Sequence, residues 1–147
     1  MAKVLYWHLK PDDVADKEYP VDKLIHWEIR SYFDEQSYAS IYWFKNGVPF
    51  DKEPINGLAM YGYELDEKII DDIKEFINKE FGGNVLRRSH RIFFDGSKVI
   101  KDNRSIAELA KRLDDRFRCI SEIWLEFEDI EEEFAKKLFK KPLIIEK

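Results

Sequence analysis

The chain has 147 residues, a formal net charge of −5, a hydrophobic fraction of 44% and an aromatic fraction of 15%. Eleven Phe, seven Tyr and four Trp can bury enough apolar surface to exclude a disordered chain, and the length predicts one domain over residues 1–147. A single cysteine excludes an internal disulfide, and no apolar run approaches the roughly 20 residues that cross a bilayer. We therefore predict a cytoplasmic protein without membrane association.

Strand patterns dominate the first half of the chain. Four segments alternate apolar and polar residues or are rich in β-branched and aromatic residues, and we predict strands over residues 4–9, 23–33, 38–45 and 57–64. Residues 23–33 also fit one face of a helix, but their Trp, Ile, Tyr and Phe content favours a strand. A charged loop is expected over residues 10–23, and a turn over residues 34–37.

Two amphipathic helices are predicted in the second half. The first covers residues 66–81, where an isoleucine and phenylalanine stripe follows Asp66, a good N-cap residue. The second covers residues 106–117, and Ser105 with Glu108 forms the pattern of a capping box. Both stripes are expected to pack against a sheet, because a surface helix buries one apolar face.

Further strands separate and follow these helices. They are predicted over residues 85–94, 97–101 and 119–127, and the first two are expected to form a hairpin around residues 95–96. Asp129 is expected to cap a last, C-terminal helix. The second half thus alternates strands and helices in an order that constrains the fold.

The order of elements over residues 57–127 reads β-α-β-β-α-β, which is the ferredoxin-like, or split βαβ, arrangement. We therefore predict an α+β fold in which helices pack on one face of an antiparallel sheet. Extra N-terminal strands and a C-terminal helix extend the ferredoxin-like core. Such a fold hosts many unrelated activities and does not indicate a function.

Opposite charges are concentrated in two neighbouring segments. Seven carboxylates and no basic residue lie within residues 121–133, whereas residues 84–104 carry six Lys and Arg against two Asp. The segregation indicates binding, either between the two segments, to another molecule or to a second copy. The acidic balance of the whole chain works against long-range attraction to nucleic acid.

The acidic segment carries the main functional hypothesis. Alternation over residues 119–127 places Cys119, Ile123, Leu125 and Phe127 on an apolar face of the strand, and Ile120, Glu122, Trp124 and Glu126 on the other face. We expect a non-catalytic module for protein–protein interaction or regulation that uses an exposed acidic strand–helix junction. Its partner is another protein or a second copy of the chain. The residues expected to bind this partner are Glu122, Trp124, Glu126, Glu128 and Asp129.

An aromatic cluster offers a further surface for the same role. It comprises Tyr38, Tyr42, Trp43, Phe44, Tyr61 and Tyr63. On neighbouring strands these rings would form a broad apolar face. The favoured alternative is that they form a second core beneath the N-terminal segment.

The basic segment supports an alternative function, the binding of nucleic acid or a phosphate ligand. The residues proposed for this role are Arg87, Arg88, His90, Arg91, Lys98 and Lys101. Guanidinium groups suit phosphate, although the sequence shows no aromatic signature of RNA-recognition sheets. The basic strand could instead be neutralised by the acidic strand. In a ferredoxin-like sheet the two would lie on opposite edges, so direct pairing would need two copies.

Searches for catalytic and metal-binding patterns find none. His8, His26 and His90 are scattered without metal-ligand spacing, and Cys119 on an apolar strand face reads as a packed core thiol. The glutamates of the acidic segment show no spacing that would make their oxygens converge on a cation. We predict no catalytic residue, metal or cofactor. An active site built from scattered residues stays open, because such a site is invisible in one sequence.

Overall fold

The computed structural model describes residues 2–15, 18–34, 37–43, 66–81, 85–88, 91–94, 103–139 and 144–146. They form an α+β fold. The strands are β1 (Ala2–Leu9), β2 (Leu24–Tyr32), β3 (Tyr38–Trp43), β4 (Val85–Arg88), β5 (Arg91–Phe94), β6 (Ile120–Ile130) and β7 (Ile144–Glu146). The helices are α1 (Pro11–Ala15), α2 (Glu67–Phe81), α3 (Asn103–Phe117) and α4 (Glu132–Leu138), with a 3-10 turn at Val21–Lys23.

The strands form one sheet in the order β4-β5-β3-β2-β6-β1-β7. The described neighbours pair antiparallel, except that β3 and β5 are parallel. The prediction of an antiparallel sheet is therefore wrong at this pair. The strand predicted over residues 57–64 lies outside the described residues, so the ferredoxin-like order stays a prediction. The long strands β2 and β6 are paired with each other near the middle of the sheet.

The main core lies between one face of this sheet and the four described helices. The sheet contributes Trp27, Ile29, Ile41, Ile123 and Leu125, all buried. Each described helix adds apolar residues to the same cluster: Val14 from α1; Ile70, Ile73 and Ile77 from α2; Ile106, Leu109 and Leu113 from α3; Ala135 and Leu138 from α4. None of the described helices is long and apolar enough to cross a membrane.

Helix α2 begins as the sequence predicts, and α3 does not. The Asp66 side chain accepts a hydrogen bond from the backbone N–H of Lys68 at 2.8 Å, which caps α2. Helix α3 begins at Asn103, one turn before the predicted start, so Ser105 lies inside the helix and does not cap it. The first turn of α3 is polar, and an apolar stripe cannot reveal a polar turn.

The ends of β6 and α4 also correct the sequence prediction. Strand β6 continues to Ile130, and the residue that precedes α4 at its N-cap position is Glu131, so Asp129 does not cap the helix. The reason is pairing and burial, because Ile130 is buried and pairs with Ala2 of β1. Asp129 has a φ of 54°, which accommodates an irregularity near the end of the strand.

Residues 10–23 are not only loop, because α1 lies within them. The side chain of Asp13 accepts a hydrogen bond from the backbone N–H of Lys10 at 2.7 Å, and Pro11 occupies the first helical position, which proline tolerates. Val14 anchors this single turn in the core. One turn is too short to produce a recognisable apolar period.

The strand predicted over residues 85–94 is in fact a hairpin. Strands β4 and β5 pair antiparallel, with Arg88 opposite Arg91, so the chain changes direction between these two strands. The predicted turn at residues 95–96 lies outside the described residues, as does the strand over 97–101. A polar run over residues 87–91 interrupts the apolar residues on either side, which is typical of a turn.

Candidate functional site

The second face of the sheet carries polar and aromatic residues over its three central strands, and we call it the polar sheet face. It comprises His26, Glu28, Arg30 and Tyr32 of β2, Tyr38, Ser40 and Tyr42 of β3, and Ile120, Glu122, Trp124 and Glu126 of β6. The strand register sets these residues side by side. Glu28 is paired with Tyr42 on one side and Trp124 on the other, and Arg30 is paired with Glu122.

A buried ion pair lies at the centre of the polar sheet face. The Arg30 Nε donates to Glu28 Oε1 at 2.6 Å, and the Arg30 guanidinium carbon lies 3.7 Å from the centre of the Trp124 ring. Glu28 is 1% exposed and Arg30 is 7% exposed. Burial lowers the pKa of Arg30, but the charge and hydrogen bond of Glu28 outweigh it and raise this pKa above its usual value. The site therefore holds a permanent cation paired with a carboxylate.

His26 lies beside this pair as a neutral side chain. Burial, together with the positive charge of Arg30, lowers the pKa of His26 to about 4. The ring stacks on Tyr42 with centroids 5.9 Å apart, and Nδ1 lies 3.9 Å from Glu126 Oε2. Because the imidazole is uncharged at neutral pH, this contact with Glu126 is not an ion pair there.

A pocket of about 430 Å³ opens where β2 ends and β6 begins, and we call it the β2–β6 pocket. Its described lining residues are Tyr32, Phe33, Asp34, Arg118, Ile120 and Glu122. Tyr32, Ile120 and Glu122 belong to the polar sheet face, so the pocket is the accessible end of that face. Its volume is in the range of ligand pockets in proteins.

Two turns with internal hydrogen bonds hold the rim of this pocket. In the first, the Asp34 side chain accepts a bond from the Ser37 backbone N–H at 2.7 Å, as the predicted turn over residues 34–37 requires. In the second, Arg118 joins α3 to β6 with a φ of 53°, and its N–H donates to the Asp114 carbonyl at 2.7 Å. Each of these hydrogen bonds constrains the lining residue that takes part in it.

The predicted acidic junction is not one exposed surface. Of its residues, Glu122 lines the β2–β6 pocket, whereas Trp124 and Glu126 are buried, and Glu126 is only 4% exposed. Glu128 and Asp129 are exposed but lie at the other end of β6. The expected exposure of Trp124 and Glu126 is wrong because β6 is an internal strand between β1 and β2, and the β2 side chains Arg30 and His26 lie against Trp124 and Glu126. The part that these residues play in binding stays a prediction.

The basic segment lies on the far side of the sheet from β6. Arg87 and Arg88 are in β4 and Arg91 is in β5, while His90, Lys98 and Lys101 lie outside the described residues. Strands β5, β3 and β2 separate β4 from β6, so direct cross-strand neutralisation between β4 and β6 does not occur. The basic neighbour of the acidic strand is instead Arg30 on β2.

The aromatic cluster divides into described and undescribed members. Tyr38 and Tyr42 are buried, which favours the core interpretation of these two rings over the binding surface. The side chain of Trp43, and all of Phe44, Tyr61 and Tyr63, lie outside the described part of the chain. The sequence signal for the buried polar residues was charge at alternate positions 26, 28 and 30 of an otherwise apolar strand.

Cys119 is a structural thiol. It is buried at the start of β6, its Sγ donates to the Leu113 carbonyl at 3.6 Å, and burial raises its pKa. Across the described ranges, no group of three or more His, Cys, Asp or Glu side chains could hold a metal ion.

Comparison of the chain with family models, with curated proteins and with solved structures finds no match.

We predict that the Glu28–Arg30 pair behaves as a coupled buried unit. The Glu28→Gln variant leaves a buried guanidinium without its carboxylate and is expected to lose about 3 kcal/mol of unfolding free energy. The double variant Glu28→Gln/Arg30→Met removes both charges and is expected to be more stable than Glu28→Gln. Urea unfolding of the wild type, the two single variants and the double variant measures this coupling.

The half-exposed pair Glu80–Arg112 provides the matched control for this cycle. Loss of its carboxylate in Glu80→Gln is expected to cost at most about 1 kcal/mol, since exposed ion pairs contribute little. Additive losses for Glu28→Gln and Arg30→Met would contradict the coupling.

We predict a histidine-dependent loss of stability in mild acid. The unfolded chain takes up a proton at His26 near pH 6.5, whereas the folded chain resists protonation until about pH 4. Protonation therefore favours unfolding, and the free energy of unfolding falls as pH drops from 6.5 to 4, by about 3 kcal/mol in total. Unfolding curves of the wild type and His26→Gln between pH 4 and 7.5 test this. Parallel pH profiles would show that His26 does not cause the loss.

Proposed function

We propose that this chain is a non-catalytic binding module that recognises another protein through the β2–β6 pocket. The observation that carries the proposal is Ile120, which is 62% exposed and lies in the lining of that pocket. Burying such a side chain against a partner contributes about 1.5 to 3 kcal/mol. Ile120 is not an isolated surface residue, because it shares the pocket lining with the partly buried rings of Tyr32 and Phe33, and the three together give a partner an apolar surface to cover.

The composition of the pocket suits recognition. Tyr32, Phe33 and Ile120 supply apolar surface, while the side chains of Asp34, Glu122 and Arg118 supply charge. Of the residues predicted for the acidic junction, Glu122 is the one that lines the pocket and can contact the partner there.

The scaffold beneath the pocket supports a preformed site. Arg30 lies between two lining residues: Tyr32 follows it on β2, and Glu122 is its register partner on β6. The guanidinium of Arg30 forms an ion pair with Glu28 and stacks on the ring of Trp124. The turns at Asp34 and Arg118 fix the rim as described above. A partner that binds a rigid surface loses less of its binding free energy to ordering that surface.

The proposal is tested by selecting random dodecapeptides on the immobilised protein and measuring the affinity of the enriched peptides. Ile120→Ser is expected to weaken binding about tenfold, because it removes about 1.4 kcal/mol or more of apolar contact. Fluorescence polarisation with labelled peptides gives the dissociation constants of the wild type and the variant.

Phe134 supplies the matched control, because it is a large hydrophobic residue on α4 that is 43% exposed and does not line the pocket. Phe134→Ser is expected to leave the affinities within about twofold of the wild type. Failure to enrich any peptide, or equal binding by Ile120→Ser and the wild type, would refute the proposed function.

A second candidate function is supported by the position of the basic segment. Strand β4 is the outermost strand on its side of the described sheet, and Arg88 is the register partner of Arg91. Like charges at directly opposed positions destabilise a sheet unless an anion offsets them. We propose, as the alternative, that this hairpin binds phosphate groups of a nucleic acid or a smaller ligand.

The alternative predicts that the protein binds single- or double-stranded oligonucleotides and that affinity falls as salt concentration rises. The double variant Arg88→Gln/Arg91→Gln removes two phosphate contacts. It is therefore expected to reduce the magnitude of the slope of log affinity against log salt concentration by about two. Filter binding at salt concentrations from about 50 to about 300 mM measures this slope. Absent binding, or binding insensitive to salt, would eliminate this candidate.

A further inference from the structure

We infer that the β2–β6 pocket takes a lysine or arginine side chain of the partner protein. This inference rests on the proposed function, because it specifies what the pocket recognises. The occupant is a basic side chain presented by a polypeptide, with its apolar stem on the pocket wall and its charged end at the carboxylates.

The charges of the lining favour a cation. Asp34 and Glu122 contribute two carboxylates, and Arg118 is the one basic residue among the described lining residues. Glu122 is close enough to Tyr32 for its charge, after burial, to raise the pKa of that phenol. A carboxylate that acts on the pocket wall also attracts a cation placed against that wall.

The nearest buried cation does not reverse this balance. Arg30 is the register partner of Glu122, but its Nε is bonded to Glu28 at 2.6 Å and its guanidinium lies on Trp124. Arg30 is not among the lining residues of the pocket. Arg30 also hydrogen-bonds the side chain of Tyr32, so its charge reaches one wall of the pocket, but the carboxylate of Glu28 offsets that charge locally.

The apolar part of the lining matches the stem of a long basic side chain. Lysine and arginine lay their methylene groups on apolar surface and keep the charged end in a polar environment. Ile120 and the rings of Tyr32 and Phe33 provide the apolar surface, and aromatic rings also attract cations at their faces. For an acidic ligand, the two carboxylates of the lining outnumber its one basic residue, so the net charge of the lining opposes binding.

We expect the occupant to be a basic residue within a polypeptide and not a small free amine, because the apolar surface of the pocket is larger than one side chain can cover. Ile120 lines the pocket and is 62% exposed, so the peptide backbone next to the basic residue can cover the part of it that the stem does not contact. The acidic character of the chain, with a net charge of −5, further assists the approach of a basic partner.

The test uses the dodecapeptides enriched on the wild-type protein, each compared with a version in which norleucine replaces its Lys or Arg. The expected selection contains Lys or Arg in the binding peptides. Glu122→Gln is expected to weaken their binding about tenfold, and Arg118→Gln to strengthen it about threefold, because the two changes alter the pocket charge in opposite directions.

Glu75→Gln is the matched control, since Glu75 is an exposed glutamate on α2 that does not line the pocket. It is expected to change the affinity by less than about twofold, as distant exposed charges are screened by salt. For the norleucine peptides, Glu122→Gln is expected to change the affinity by less than about twofold. The larger change seen with the original peptides would then come from the contact between Glu122 and their basic side chain.

The outcomes separate this inference from the proposed function. If Ile120→Ser weakens binding but Glu122→Gln leaves it unchanged or strengthens it, the pocket binds a partner of different charge and the inference is overturned. Enrichment of acidic or uncharged peptides that depend on Ile120 overturns it in the same way. If binding does not depend on Ile120 at all, the proposed function fails and this inference fails with it.

Discussion

A carboxylate–guanidinium pair buried on β2 constrains how the central strands of this sheet align. Glu28 and Arg30 contact each other beneath Trp124 of β6, on the face opposite the helices. A shift of β2 by one residue would turn these charges into the apolar core and place Trp27 and Ile29 on the other face. Such a shift costs several kcal/mol per unpaired buried ion, so the pair specifies one register even where it adds little net stability.

That register determines the candidate site. With Arg30 opposite Glu122, the next pair on the same face of the sheet is Tyr32 opposite Ile120, and Glu122, Tyr32 and Ile120 line the β2–β6 pocket. The pocket is therefore the point at which a buried polar layer meets solvent. The buried part of the layer supplies rigidity and a fixed charge distribution, while its exposed end supplies the contacts that a partner can reach.

Local structure was predictable where one short period dominates the sequence. The cap of α2 at Asp66 and the two faces of β6 follow from capping chemistry and alternation, whereas the strand at Leu24–Tyr32 fits both periods and was predicted from its Trp, Ile, Tyr and Phe content. The burial of Glu126 was not predictable, because alternation assigns a residue to a face but does not show what lies next to its strand. The parallel pairing of β3 with β5 likewise depends on neighbours that are distant in sequence, whereas the hairpin of β4 and β5 is local and is indicated by the polar run over residues 87–91.

The placement of β6 between β1 and β2 has a consequence during synthesis. Both N-terminal strands take their main partner from a segment near the other end of the chain, since Tyr6 pairs with Leu125 and Trp27 also pairs with Leu125. A growing polypeptide on the ribosome thus carries β1 and β2 without the strand that joins them until β6 has emerged. Completion of the sheet waits on a contact of large sequence separation, which makes its closure a late and comparatively slow event.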